Sequence, residues 1–174
     1  VSPEEYWNSN ESADENIDNA CDATAIVAVA GVPSTNDVII NGDPNALPLG
    51  DDDFIEVALP FTFPFCGDDY NSVFVGSNGF VTFGAGDTDF SPSLADFLGN
   101  EPRIAPFWTD LSPNQGGSIS AQPNGPNFEI TYNNVTEFLA GNSNNCVLTL
   151  RPDGTYDMAY GQVDATGGLT GRTP

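Results

Sequence analysis

The chain has 174 residues, a length that suits one domain with a real core. It carries 25 acidic side chains against three basic ones, Arg103, Arg151 and Arg172, and no histidine, for a formal net charge of −22. Nucleic acid and anionic membrane surfaces are thereby excluded as partners, because both are bound through Lys and Arg, and no apolar run approaches the ~20 residues of a membrane span.

Cations are the natural counterparts of such a surface. A salty or calcium-containing medium, in which self-repulsion is screened over about 10 Å at 0.1 M salt, is the expected setting; acidity that only keeps a secreted protein soluble accounts for the same charge. The chain opens on Val1 without a signal peptide, as a processed secreted product would, and as a fragment would too. The 12 Phe, 18 Gly and 14 Pro point to an all-β domain of many short strands. We expect an antiparallel β-sandwich with long loops over residues 23–174, preceded by an extended acidic arm over residues 1–22.

The arm offers few apolar anchors beyond Tyr6 and Trp7. Ala25–Ala30 and Val38–Ile40 follow as short strand-like runs, suited to a sheet edge or to docking on another molecule, and a turn-rich loop leads to Asp53. From Phe54 the pattern tightens. Ile55, Val57 and Leu59 alternate with polar or small residues, then Phe61, Phe63 and Phe65 fall on one face. Pro60 and Pro64 place this strand at an edge or give it a bulge, since neither has an N–H for a ladder.

The stretch around which the rest is organised is Val73–Phe83. Two β-branched and aromatic runs flank Ser77-Asn78-Gly79, and an Asn-Gly step supplies the positive φ angles of a tight hairpin turn. Phe80 and Thr82 point one way and Val81 and Phe83 the other, so both faces of the hairpin should be covered. Residues 84–102 form a long loop with one helical turn at Ser93–Leu98, capped by Ser91. Arg103–Trp108 is a further apolar run. Asn127–Asn133 alternates as a half-buried strand, and Cys146–Tyr160 reads as a second hairpin turning at Arg151-Pro-Asp-Gly154. No strand is predicted after Gly161.

Three cysteines leave three pairings open. Cys66 with Cys146 is favoured, as both fall in or beside strands of one core, with Cys21 left in the arm; buried unpaired thiols are the alternative. A bridge closing so long a loop contributes roughly 2–4 kcal/mol.

Phe63-Pro-Phe-Cys-Gly67, the Val73–Gly84 hairpin, Ile104-Ala-Pro-Phe-Trp-Thr-Asp-Leu111, Phe128–Val135 and Leu148–Tyr160 together resemble the extracellular NIDO domain of nidogen and its looser relatives in bacterial secreted proteins. The resemblance covers about residues 57–161, its Ser-Asn-Gly-Phe hairpin and Ala-Pro-Phe-Trp-x-Asp-Leu run being the most specific parts. It implies a β-sandwich module of cell-surface, matrix and adhesive proteins, with no catalytic residues to carry over. Cys66 and Cys146 stand where aromatic residues are expected, which favours a bridge replacing a pair of rings. The final short strand of the relatives is unrecognisable here, which leaves a sheet edge open.

Without histidine, Ser-His-Asp, Cys-His and the usual zinc hydrolase sites cannot be built; only carboxylate chemistry remains, and an enzyme is not expected. Calcium suits the oxygen-rich loops better. The metal candidates are Asp68 and Asp69, then Asp87 and Asp89 between glycines, with Asp51, Asp52 and Asp53 a further cluster; solvated turn aspartates would look alike. Trp108 reads as core rather than as a sugar platform. Asn10 and Asn134 head Asn-x-Ser/Thr sites that carry glycan only where the secretion route supplies it.

The function expected is therefore an extracellular structural or adhesive module that contacts a protein or glycan at the cell surface or matrix. A specific form is a homo-oligomer or fibre, in which one copy's arm adds a strand to the open edge of the next. The alternatives are a calcium-assisted carbohydrate-binding module and a carboxylate-dependent hydrolase.

Overall fold

The alternation that begins at Phe54 folds as pleated strands with a period of two. The computed structural model describes residues 45–174 together with the backbone of Thr24–Val27. In chain order the elements are β1 (Thr24–Val27), β2 (Phe54–Phe65), β3 (Asp68–Gly76), β4 (Val81–Thr82), helix α1 (Leu94–Gly99), β5 (Arg103–Trp108), β6 (Ser118–Asn124), β7 (Asn127–Val135), β8 (Asn144–Leu150), β9 (Tyr156–Val163) and β10 (Leu169–Thr173).

They form an all-β sandwich of two antiparallel sheets. One runs β1-β10-β5-β4-β3-β2 and the other β6-β7-β8-β9. The central hairpin is present, with Phe74 opposite Thr82 and Val75 opposite Val81. β2 is an edge strand, and its register shifts between Ala58 and Phe63, across Pro60. Both devices follow from a proline that cannot donate to a ladder. The second hairpin also forms; the Gly154 amide donates to the Arg151 carbonyl at 3.0 Å across its turn.

Two clusters make the core. Between the sheets, Phe63, Phe65, Val81, Phe83 and Ile104 face Ile130, Tyr132 and Leu148. On the opposite face of the six-stranded sheet, Phe80, Ala105, Trp108 and Leu169 pack with Phe97 of α1. Adjacent residues such as Phe80 and Val81, or Ile104 and Ala105, thus serve different clusters, as strand alternation requires. The 84–102 loop is the cover that the hairpin's second apolar face demanded. Arg103 fastens it: this fully buried guanidinium donates to Asp87 Oδ2 at 2.6 Å and lies 5.0 Å from the ring centroids of both Phe80 and Trp108.

Four expectations are corrected. A closing strand exists after Gly161: β10 pairs with β5 on one side and with β1 on the other, Thr24 lying opposite Arg172. The open edge that motivated fibre formation is therefore filled, and the strand-forming run after the arm pairs within its own chain. β6, in the Gly-, Pro- and Asn-rich stretch before Asn127 where a connection rather than a strand is expected, is a strand antiparallel to β7. The cap of α1 is Ser93 rather than Ser91, because the Ser93 hydroxyl accepts the Asp96 amide at 3.1 Å, in a Ser-x-x-Asp arrangement. Cys146 is a free, buried thiol, so it does not bridge to Cys66. It sits mid-strand on β8 opposite Tyr132 and Tyr160, whereas Cys66 occupies the β2–β3 turn at φ 56°. Asn10, Cys21 and the Val38–Ile40 run lie outside the described residues.

Candidate functional site

The most specific residues of the sequence converge on one buried turn. Ser77, Asn78, Gly79 and Phe80 are all buried, and Gly79 takes φ +79° where an L side chain would be strained. Around them the backbone is cross-linked. The amides of Phe107 and Thr109 donate to the carbonyls of Gly79 and Asn78 at 3.0 and 3.2 Å. The Asn78 amide side chain accepts from the Leu111 N–H at 2.9 Å and donates to Asp52 Oδ1 at 3.0 Å. From the other sheet, the Tyr132 hydroxyl donates to the carbonyls of Gly76 and Phe80, at 2.8 and 3.1 Å. The Ser-Asn-Gly-Phe and Ala-Pro-Phe-Trp-Thr-Asp-Leu runs are thus two halves of one structural joint, held by the Asn78 side chain and by main-chain groups of Asn78, Gly79, Phe107, Thr109 and Leu111.

Where the joint meets solvent it carries carboxylates. Asp51, Asp52 and Asp110 bring one oxygen each within 4.8 Å of one another. Asp52 is held at φ 47° beside Asn78, and Asp110 follows β5 on the other half of the joint. Partial burial, then the charges of Asp52, Asp51 and Glu137, raise the Asp110 carboxyl above the ordinary aspartate range. Three acidic oxygens are a partial set for a hard cation such as calcium, which takes six to eight. Asp53 is occupied differently, its two oxygens accepting the Gly50 and Phe54 amides.

The carboxylates expected as metal ligands lie elsewhere, and no three of them gather into one cluster among the described residues. Asp68 and Asp69 open β3 and are exposed. Asp87 is bound to Arg103, and its second oxygen accepts the Asp89 amide at 2.9 Å. Asp89 in turn accepts the Ser91 amide, and its carbonyl takes the Trp108 indole N–H at 3.0 Å. Asp87 and Asp89 therefore organise the covering loop.

Beside the carboxylate trio projects the Glu137–Asn142 loop, which sequence reading passed over. Phe138 and Leu139 are 43% and 80% exposed. Glu137 anchors the loop: its carboxylate accepts from Thr109 Oγ1 at 3.1 Å and from Asn142 Nδ2, while its own amide donates to Asn142 Oδ1 at 2.8 Å. A usable signal was Phe138-Leu139 itself, an apolar pair breaking the polar stretch between two strands.

Of the remaining candidates, Trp108 is fully buried and offers no platform to a sugar. Asn134 is exposed at a left-handed φ of 51°, its side-chain oxygen accepting from Ser143 Oγ at 2.8 Å. Burial pushes the Cys146 thiol up to about 12, so it is a poor nucleophile and a poor metal ligand at neutral pH. No helix among the described residues is long and apolar enough to cross a membrane.

Compared with known proteins, residues 33–153, well over half of the chain, match the family model described as NIDO related. No match was found among curated proteins or among solved structures.

Proposed function

Because the chain belongs to the NIDO-related family, an extracellular type of domain, we propose that it is a structural or adhesive module acting by contact with a protein or matrix component outside the cell, without turnover. The observation that carries this reading is the fate of the Ser77–Phe80 and Ala105–Leu111 runs. The Asn78 side chain and the main-chain groups of both runs cross-link the sandwich, so they build a rigid scaffold and leave recognition to the acidic surface, the Asp110 carboxylate included. A fibre formed by strand exchange would first have to displace β1 from β10 of its own chain, so we favour contact with a different partner.

The test is surface labelling. Fluorescent domain added to intact source cells is expected to decorate them above an equally acidic control protein, and protease shaving of the cells should abolish the signal. Equal labelling by domain and control overturns the reading.

The Asp51–Asp52–Asp110 trio favours a second reading, a calcium-assisted carbohydrate-binding module. Calorimetric titration with calcium, followed by a glycan array with and without chelator, tests it. Glycan binding that persists in chelator, or no heat on calcium addition, removes it.

A further inference from the structure

Two features of the surface adjoin, one apolar and one anionic. Leu139 is 80% exposed and held at φ 57°, and Phe138 beside it is 43% exposed. The loop that shows them is pinned: the Phe138 amide donates to the Asp110 carbonyl at 2.9 Å, the Leu139 amide to Gln115 Oε1 at 2.8 Å, and the Ala140 amide to the Glu137 carbonyl at 3.0 Å. A main chain pinned in this way loses little further freedom when the loop is covered, which lowers the ordering cost of a contact made by its side chains. The anionic feature is one hydrogen bond away, since Asp110 also belongs to the carboxylate trio. The two ion pairs among the described residues, Arg103 with Asp87 and Arg151 with Asp157, leave that trio uncompensated.

We infer that the Phe138–Leu139 loop tip and the Asp51, Asp52 and Asp110 carboxylates form one docking surface for a partner protein segment that carries a lysine or arginine next to a bulky apolar side chain. Charge complementarity selects this occupant. A phosphate-bearing lipid or an acidic glycan would meet like charge at the trio, whereas a cationic side chain supplies the missing counter-charge as its apolar neighbour covers Leu139. The inference rests on the contact-module reading and identifies the face and the partner chemistry.

A random twelve-residue peptide library displayed on phage, selected on the immobilised domain, is expected to converge on sequences with Lys or Arg within two positions of Leu, Ile, Phe or Trp. The best peptide, synthesised with a fluorescent label, is the probe. Its affinity should fall at least tenfold in Phe138→Ser/Leu139→Ser. It should fall similarly in Asp51→Asn/Asp52→Asn, which should also lose most of the salt dependence of binding. Leu94→Ser/Leu98→Ser, which alters exposed apolar residues of α1, should leave affinity unchanged, and circular dichroism checks that every variant is folded. Selection of peptides without that pairing, equal affinity in the loop-tip variants, or binding abolished by chelator each overturns the inference. Cell labelling that persists in the loop-tip variants defeats this inference alone, whereas a domain that binds the peptide yet labels no cells defeats the contact-module reading.

Discussion

A Cβ built on Gly79 would stand 1.9 Å from the carbonyl oxygen of Phe107, while the Gly79 carbonyl accepts the Phe107 amide at 3.0 Å. The central turn and β5 therefore touch backbone to backbone, and only a residue without a side chain permits it. Gly79→Ala should be among the most damaging changes available, combining a clash against main chain with φ +79°. We expect a loss of at least about 4 kcal/mol, read by urea denaturation or as failure to accumulate soluble protein.

The Asp87–Arg103 pair predicts an asymmetric result. Asp87→Ala leaves a fully buried guanidinium without its carboxylate and should cost about 3–5 kcal/mol. Removing both charges, with Arg103→Met and Asp87→Leu together, should cost markedly less than Asp87→Ala alone, since the stranded charge is then gone. Denaturation midpoints of the wild type and the two variants check this, and a double variant as destabilised as Asp87→Ala would disprove it.

Asn78 offers a finer probe of the same joint. Asn78→Ala leaves the buried Leu111 amide without an acceptor and should cost about 1–3 kcal/mol. Tyr132→Phe removes the donor to Gly76 and Phe80 and should cost about 1 kcal/mol. Thermal unfolding of each variant gives the comparison.

Asp110 gives a pH signature. Its carboxyl is raised in the folded state, so between the ordinary aspartate value and the raised one the folded chain binds more protons than the unfolded chain. Its contribution to stability is then fully present below the unfolded value and lost as pH rises through the folded one. Asp110→Asn should accordingly stabilise the domain at pH 7, by about 0.5 kcal/mol on the scale of partly exposed charges. The gain should vanish towards pH 3. Equal melting differences at both pH values would refute the assignment.

Cys146 should be silent in the native protein. A buried thiol pushed up to about 12 reacts with a disulfide reagent at neutral pH only after unfolding, and the rate should track denaturant concentration.

How much of this was legible follows from period and distance. The Val73–Phe83 hairpin, β2, β7 and the β8–β9 hairpin could be read because large apolar residues recur every second position. β10 could not: its buried positions are Leu169, Gly171 and Thr173, which carry one large side chain among them. β6 was missed on similar grounds, Ile119 being its one large apolar residue. The carboxylate trio was half visible, since Asp51 and Asp52 stood out as a run, but Asp110 is brought to them only by the folding of β5 against the Asn78 turn. Asp68 and Asp69, and Asp87 and Asp89, stand out in the sequence only as close neighbours. In turns, such neighbours commonly hydrogen-bond nearby amides, and Asp87 and Asp89 do so.

The pairing of Thr24 with Arg172 sets the timing of biosynthesis. A nascent chain emerging from a ribosome or a translocon amino end first holds β1 without a ladder partner until almost every other strand has appeared. β5 likewise keeps one bare flank until β10 arrives to join the two. Maturation of the six-stranded sheet is thus a late sealing event, and the interval before it is when a chaperone would find something to hold.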